Sequence, residues 1–151
     1  MAHSIVFFLA PDDETAAATR LRGPGEGFAS VTCRSYEPDT TIVEWDMHFE
    51  DPAAGAPTAE QFRAWQSWPE YVTPPLNDGV EVFALPQRLT RTLAGARPAE
   101  LEALANRWAV RLRAEGFDDL ADDDLLATLR GVAGLAASAL DSNGGLYSWS
   151  C

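Results

Sequence analysis

Lysine is absent from this sequence, since all 11 basic residues are arginine. Without a lysine amine the chain cannot form a Schiff base, anchor pyridoxal phosphate or supply the lysine of a phosphate-binding loop. Histidine is scarce as well, with two residues in the whole chain. These absences exclude several classes of enzyme, and we expect no bound cofactor.

Positive charge is also in short supply. The 11 basic residues stand against 23 acidic ones, which gives the 151-residue chain a formal net charge of −12. A surface of this sign repels phosphate groups, so the sequence predicts neither nucleic acid nor an anionic membrane as a partner. A basic protein would be attracted to it instead. Because the acids are scattered along the chain, the sequence does not favour an acidic mimic of nucleic acid.

Long hydrophobic runs and cysteine are sparse too. The longest apolar run, residues 5–10, is too short to cross a membrane, and acidic residues that a signal peptide does not carry follow it closely. We expect a cytoplasmic protein on these grounds. Its two cysteines, Cys33 and Cys151, are then expected to be reduced thiols without a disulfide between them.

Apolar side chains are plentiful enough for a core, since 46% of the residues are hydrophobic. The run at 5–10 predicts a central strand covered on both faces, and residues 146–149 predict a strand that closes the sheet. Apolar residues at helical spacing predict helices at 86–95, 98–116 and 122–143. A sheet-rich first half and a helix-rich second half are typical of an α+β protein.

Two further strands, at 28–36 and 41–50, are predicted to form a hairpin. The segment between them, Glu37-Pro38-Asp39-Thr40, is rich in turn residues. With this hairpin, the prediction for residues 1–151 is a single α+β domain. It has a small, mostly antiparallel sheet packed against C-terminal helices, and a C-terminal closing strand.

The second strand of the predicted hairpin alternates between apolar and polar residues. Its apolar residues are Val43, Trp45, Met47 and Phe49, and its polar ones are Glu44, Asp46, His48 and Glu50. Residues of one strand that alternate in this way point to one face. Matching the apolar faces of the two strands pairs Cys33 with Trp45, and Ser30 with His48.

The polar face of the hairpin is the candidate ligand site. Its members are Ser30, Glu44, Asp46 and His48, with Trp68 and Tyr71 from a proline-rich segment as walls. Asp46, His48 and Glu50 offer the imidazole and carboxylate ligands of Zn or Mn, yet alternate strand residues lie about 7 Å apart, which is wide for one ion. Ser30 beside His48 resembles a nucleophile and its base, but no Gly-x-Ser-x-Gly elbow surrounds it. A solvated face without function is the third interpretation, and we assign no catalytic residue and no metal ligand.

Three other charged features accompany this face. His48, flanked by carboxylates, is expected to favour its protonated form. The acidic run at 118–124 lacks the glycine and glutamate spacing of a calcium loop, so it is expected to solvate a helix start. Arg107 and Arg111, one turn apart, could grip a phosphate or carboxylate, but neighbouring glutamates favour a mixed-charge solvent face.

The function that these observations favour is that of a non-enzymatic, cytoplasmic interaction or regulatory protein that binds another protein, with a basic partner preferred by charge. The alternative is a small-molecule or metal-binding domain, a metal-dependent hydrolase included, that uses the polar face of the 41–50 strand. The two hypotheses differ in where a ligand binds: on the acidic surface, or beneath the aromatic walls.

Overall fold

The computed structural model describes residues 3–35, 37–117 and 122–151. The strands in these ranges are β1 (His3–Ala10), β2 (Ser30–Ser35), β3 (Glu70–Tyr71), β4 (Glu81–Ala84) and β5 (Gly145–Ser150). The helices are α1 (Asp13–Ala17), α2 (Pro38–Glu50), α3 (Ala59–Ala64), α4 (Gln87–Gly95), α5 (Pro98–Ala114) and α6 (Asp122–Asp141). None of the described helices has the length and apolar content needed to cross a membrane.

The five strands form one antiparallel sheet in the order β2-β1-β5-β4-β3. β1 lies inside this sheet because it pairs with β2 and β5, and both of its faces are covered: Ile5 and Phe7 pack in the main core, and Phe8 packs in a smaller core on the other face. β5 pairs with both β1 and β4, which confirms the predicted closing strand. The predicted α+β class is confirmed as well, since helices pack against an antiparallel sheet.

The main core lies between the sheet and the helices. α6 packs against α4 and α5 and contacts β1, β2 and β5. The side chain of Trp108 on α5 meets that of Trp45 on α2 edge to face, with ring centroids 5.1 Å apart. Trp45 in turn lies against Phe7 of β1, at 5.3 Å between ring centroids. These aromatic contacts, which are favourable beyond the area they bury, hold α2 between the sheet and α5.

The predicted hairpin is wrong, because residues 38–50 form a helix and not a strand. Pro38 and Asp39, which suggested a turn, begin this helix: proline suits its first position, where the backbone N–H has no partner to lose, and an acid in the first turn favours the helix dipole. All residues from 41 to 46 are buried. The helix is thus enclosed on several sides, and the alternation of polar and apolar residues did not mark a solvated strand face.

β2 finds its partner in β1 instead. The register places Cys33 opposite Ile5, so the predicted pairing of Cys33 with Trp45 and of Ser30 with His48 is wrong. Cys33 does pack against the main core, as predicted. Hydrophobic matching identifies which residues of a strand face the core, but it does not identify which strand lies alongside.

Two glycines of α6 differ in the space around them, which allows the effects of the same substitution to be compared. A Cβ at Gly131 would lie 2.7 Å from Val31 Cγ2, whereas a Cβ at Gly134 would have nothing within 4 Å. Both changes to alanine gain helix propensity of about 1 kcal/mol, but Gly131→Ala also requires the side chain of Val31 on β2 to shift. We expect Gly134→Ala to stabilise the protein and Gly131→Ala to be less stable than Gly134→Ala by about 1–3 kcal/mol. Urea unfolding of both variants measures this, and equal midpoints would contradict the close contact of α6 with β2.

The two thiols, which are both free, generate a second prediction. Burial raises the pKa of Cys33 to about 12, so its reactive thiolate is rare near neutral pH, while Cys151 is exposed. We expect iodoacetamide to modify Cys151 at least about 100-fold faster than Cys33 in the folded protein, and both at similar rates in urea. Peptide mass spectrometry measures the two rates. Equal rates before unfolding, or a Cys33–Cys151 disulfide, would show that the thiol environments are not as described.

Candidate functional site

Helix α2 buries three ionisable side chains. The exposed fractions are 1% for Glu44, 2% for Asp46 and 6% for His48. Carboxylates are almost never buried to this extent unless they are paired, because removal from water costs several kcal/mol per ion. The partners of these three groups define what this part of the molecule can do.

The three side chains do not share one face, as they would in a strand. In a helix, residues four apart lie on the same side, so Glu44 and His48 point towards α5, and Asp46 and Glu50 point towards α3 and α4. The polar face predicted for 41–50 is therefore divided between two separate clusters. A metal site built from Asp46, His48 and Glu50 does not form. Among the described residues, no group of three His, Cys, Asp or Glu side chains is placed to hold a metal ion.

Asp46 joins three helices. Its Oδ2 accepts hydrogen bonds from Trp65 Nε1 at 2.9 Å, at the end of α3, and from Arg88 Nη2 at 2.6 Å, on α4. Arg88 also pairs with Glu50, and its guanidinium lies 5.7 Å from the centroid of the Trp65 ring. Burial raises the pKa of Asp46, although the Trp65 hydrogen bond and the Arg88 charge oppose this.

An open hollow of about 550 Å³ lies against Trp65 and Arg88. This hollow is larger than the cleft at Glu44 that is described below. However, the terminal nitrogens of Arg88 are already engaged by Asp46 and Glu50. A group that is so engaged has little left to offer a ligand. We interpret the cluster of Asp46, Glu50, Trp65 and Arg88 as a structural connection of α2 to α3 and α4.

Glu44 has a less complete set of partners. Its Oε2 forms an ion pair with Arg111 Nε on α5, although the contact lacks hydrogen-bond geometry, and Oε1 has no hydrogen-bond partner among the described residues. Arg111 also approaches Glu115 at 3.4 Å. Burial raises the pKa of Glu44 to about 7, and the charges of Arg111 and Arg107 only partly offset this effect. A carboxyl group of this kind changes its charge near neutral pH.

A cleft of about 430 Å³ opens above this ion pair, and we call it the Glu44 cleft. Its apolar walls are Ala56, Pro57, Phe62, Val110 and Ala114. Its polar groups are Glu44, Arg107, Arg111 and Glu115. Arg107 donates hydrogen bonds to the carbonyl oxygens of Ala54 and Gly55, which holds the loop after α2 against α5. The cleft therefore combines mostly apolar walls with a few charged groups at one place.

The pKa of His48 is lowered, contrary to the expectation that its flanking acids favour the protonated form. Burial lowers the pKa of His48, and the positive charge of Arg107 lowers it further. Asp46 and Glu50 lie on another side of the helix, where they bind Arg88. The Nδ1 atom of His48 is buried without a hydrogen-bond partner among the described residues.

The other predicted site residues lie elsewhere. Ser30 is exposed and lies opposite Phe8 in the register of β2 and β1. Phe8 points to the sheet face opposite to the one that Trp45 of α2 covers. Ser30 is therefore not beside His48. Trp68 donates its indole N–H to the carbonyl of Phe62 at 3.2 Å. Tyr71 stacks on Phe83 with ring centroids 4.5 Å apart. These three residues do not line the Glu44 cleft.

Sequence reasoning missed the partner of Glu44 and the walls of the cleft. The spacing of Arg107 and Arg111 drew attention to both residues, but it favoured a solvated face. The side chain of Arg111 is instead largely buried, with 15% of its surface exposed. Val110 stands out only in the structure, because it is 65% exposed although it is a large apolar residue of a helix. Residues 118–121 of the acidic run lie outside the described residues.

No protein-family model matches the chain, and no curated protein or solved structure matches it either. The fold and site define an α+β protein with a buried ion pair at the floor of an apolar cleft. The function proposed below is therefore argued from the residues that line this cleft.

The burial of Glu44 predicts a pH dependence of stability. Unfolded, this carboxyl ionises near its ordinary pKa of 4.5, but in the folded chain it keeps its proton up to about pH 7. Folding therefore becomes less favourable as the pH rises through this window, by up to about 3 kcal/mol. Glutamine at this position does not titrate. We expect the stability of Glu44→Gln relative to the unmodified protein to rise by about 2–3 kcal/mol between pH 5 and pH 8.

Urea unfolding at the two pH values measures this difference. Leu76→Gln serves as the control, because Leu76 is 63% exposed and neither residue titrates; its difference from the unmodified protein should not change with pH. A Glu44→Gln difference that is equally constant would mean that Glu44 is ionised in the folded protein throughout this range.

Proposed function

We propose that this is a non-enzymatic, cytoplasmic binding protein whose ligand is a small organic molecule that enters the Glu44 cleft. The observation that carries the proposal is the buried ion pair of Glu44 and Arg111 beneath apolar walls. The proposal develops the alternative that the sequence left open, a small-molecule site on the polar residues of 41–50. It uses Glu44 from that set and replaces the aromatic walls with those of α3 and α5.

The size and lining of the cleft support a small ligand. Its volume of about 430 Å³ lies within the range of roughly 300–1,000 Å³ that small-molecule sites occupy. Such sites combine mainly apolar walls with a few polar groups that orient the ligand. Phe62 and Val110 provide apolar contact, and the groups around Arg111 provide orientation.

Binding without catalysis is supported by the chemistry of the described lining. A covalent mechanism of the serine or cysteine type needs a hydroxyl or thiol next to a base, and the described lining residues offer no hydroxyl, thiol or imidazole. Glu44 is engaged with Arg111 and is 1% exposed, so it serves better to hold a polar group than to move a proton on a substrate.

A basic protein partner is the second proposal, and the observation that favours it is the net charge of −12. Long-range attraction of this kind speeds association with a cation. When Glu44 holds a proton, Arg107 and Arg111 outweigh Glu115 and make the cleft itself unfavourable for a positive group, so such a partner would bind to another surface. Its binding would leave the cleft open to a small ligand.

The cleft can be tested with N-phenylnaphthylamine, a neutral dye whose fluorescence rises in apolar surroundings. We expect the unmodified protein to bind the dye, and Val110→Gln to bind it about five- to tenfold more weakly, because the change removes about 1–1.5 kcal/mol of apolar contact. Val110 is 65% exposed, so the substitution should leave the fold intact.

Leu76→Gln is the matched control, since Leu76 is also an exposed aliphatic residue but does not line the cleft. It should bind the dye as the unmodified protein does. No fluorescence response from the unmodified protein, or an equal loss in both variants, would refute the proposed site.

A further inference from the structure

We infer that the ligand of the Glu44 cleft is an organic acid, whose carboxylate binds Arg111 while Glu44 becomes its neutral hydrogen-bond donor. This inference rests on the proposed function and names the chemical class of the ligand. It follows from how the four charged groups of the cleft are engaged.

Arg111 has donors left for a ligand. A guanidinium group carries five N–H donors in a planar fork that matches a carboxylate. Among the described residues, its Nε makes the one close contact, with Glu44, while its terminal nitrogens approach Glu115 at 3.4 and 3.5 Å. These longer contacts leave the terminal nitrogens available to a carboxylate that enters from the cleft.

Arg107 adds positive charge that forms no ion pair with an acid in the described part of the chain. Its terminal nitrogens donate to the carbonyl oxygens of Ala54 and Gly55, which are neutral acceptors. When Glu44 holds a proton, the charged groups among the described residues that line the cleft are Arg107, Arg111 and Glu115. Their sum is one positive charge, in a chain whose net charge is −12. The cleft is then a local site for an anion.

Glu44 can complete the recognition in its neutral form. Its Oε1 is buried without a hydrogen-bond partner among the described residues, and a protonated carboxyl has one O–H to donate. A hydrogen bond from a neutral carboxyl to a carboxylate is short and strong. The acid would thereby satisfy both the unpartnered oxygen and the terminal nitrogens of Arg111.

Binding of an acid is then linked to the uptake of a proton by Glu44. Among the described residues, the titratable and charged groups that face Glu44 are Arg107 and Arg111 from α5, Glu115 directly after α5, and His48 one turn along α2. The lining residues from the loop and α3, Ala56, Pro57 and Phe62, carry no charge. The pKa of Glu44, about 7, means that the binding-competent form is lost between pH 6 and pH 8.

Three probes with one apolar body and different head groups test the inference: naphthylacetate, naphthylethanol and naphthylethylamine. We expect calorimetry at pH 6 to show naphthylacetate binding at least tenfold tighter than the alcohol, with the amine weakest. The affinity for naphthylacetate should fall about tenfold between pH 6 and pH 8, and that for the alcohol should not. Buffers of different ionisation enthalpy should report uptake of close to one proton at pH 8.

Glu44→Gln separates proton linkage from other effects of pH. Its amide keeps the shape and a hydrogen-bond donor but does not titrate, so it should bind naphthylacetate equally at pH 6 and pH 8 and without proton uptake. Leu76→Gln, outside the cleft, should keep the pH profile of the unmodified protein.

The outcomes distinguish this inference from the proposed function. If the alcohol or the amine binds as tightly as the acid, the cleft binds small molecules but the assignment to organic acids is wrong. If Glu44→Gln keeps the full pH dependence, Glu44 is not the group that takes up the proton and the inference fails. If none of the three probes binds and N-phenylnaphthylamine does not bind either, the proposed function fails together with this inference.

Discussion

The burial of charged side chains on α2 is the constraint from which the rest of the site follows. A carboxyl group in the interior costs several kcal/mol unless a partner reaches it, and removal of one partner typically costs about 3–5 kcal/mol. Where α2 lies between β1 and α5, Arg111 reaches Glu44 and Arg88 reaches Asp46. The positions of α4 and α5 relative to α2 are thus coupled to two ion pairs as well as to the packing of Trp45.

The two ion pairs differ in how completely the hydrogen-bonding capacity of their carboxyl groups is satisfied. We therefore interpret the Asp46 pair as structural and the Glu44 pair as part of a ligand site. Asp46 receives two hydrogen bonds from side chains that are themselves held in place. Glu44 keeps both of its buried oxygens without a hydrogen-bond partner among the described residues, and only Oε2 has an ion-pair partner there, in Arg111, next to an apolar cleft. A buried polar network that is only partly satisfied is destabilising, so a ligand that completes it gains the interaction that the protein lacks. The same incompleteness makes the charge of Glu44 responsive to pH.

Net charge and local charge lead to opposite expectations here. The overall charge of −12 favours a cationic partner at long range, whereas Arg107 and Arg111 favour an anion inside the Glu44 cleft. Exposed charges are screened beyond about 8 Å at physiological salt, so the scattered acids on the surface have little influence within the cleft. The net charge therefore governs the long-range attraction of partners, whereas the charges of the cleft govern which ligand binds inside it.

Local patterns in the sequence determined the strands β1 and β5 and the helices α4 to α6, because period, length and caps act over a few neighbouring residues. The alternation at 41–50 was misleading for the same reason: a helix buried on several sides has no solvent face to give it a period of its own. Sequence did single out Glu44, Asp46 and His48 as polar groups of interest. Only the tertiary structure decided that Glu44 meets Arg111 and that Asp46 meets Arg88, since contacts between distant segments depend on how helices and sheet pack together.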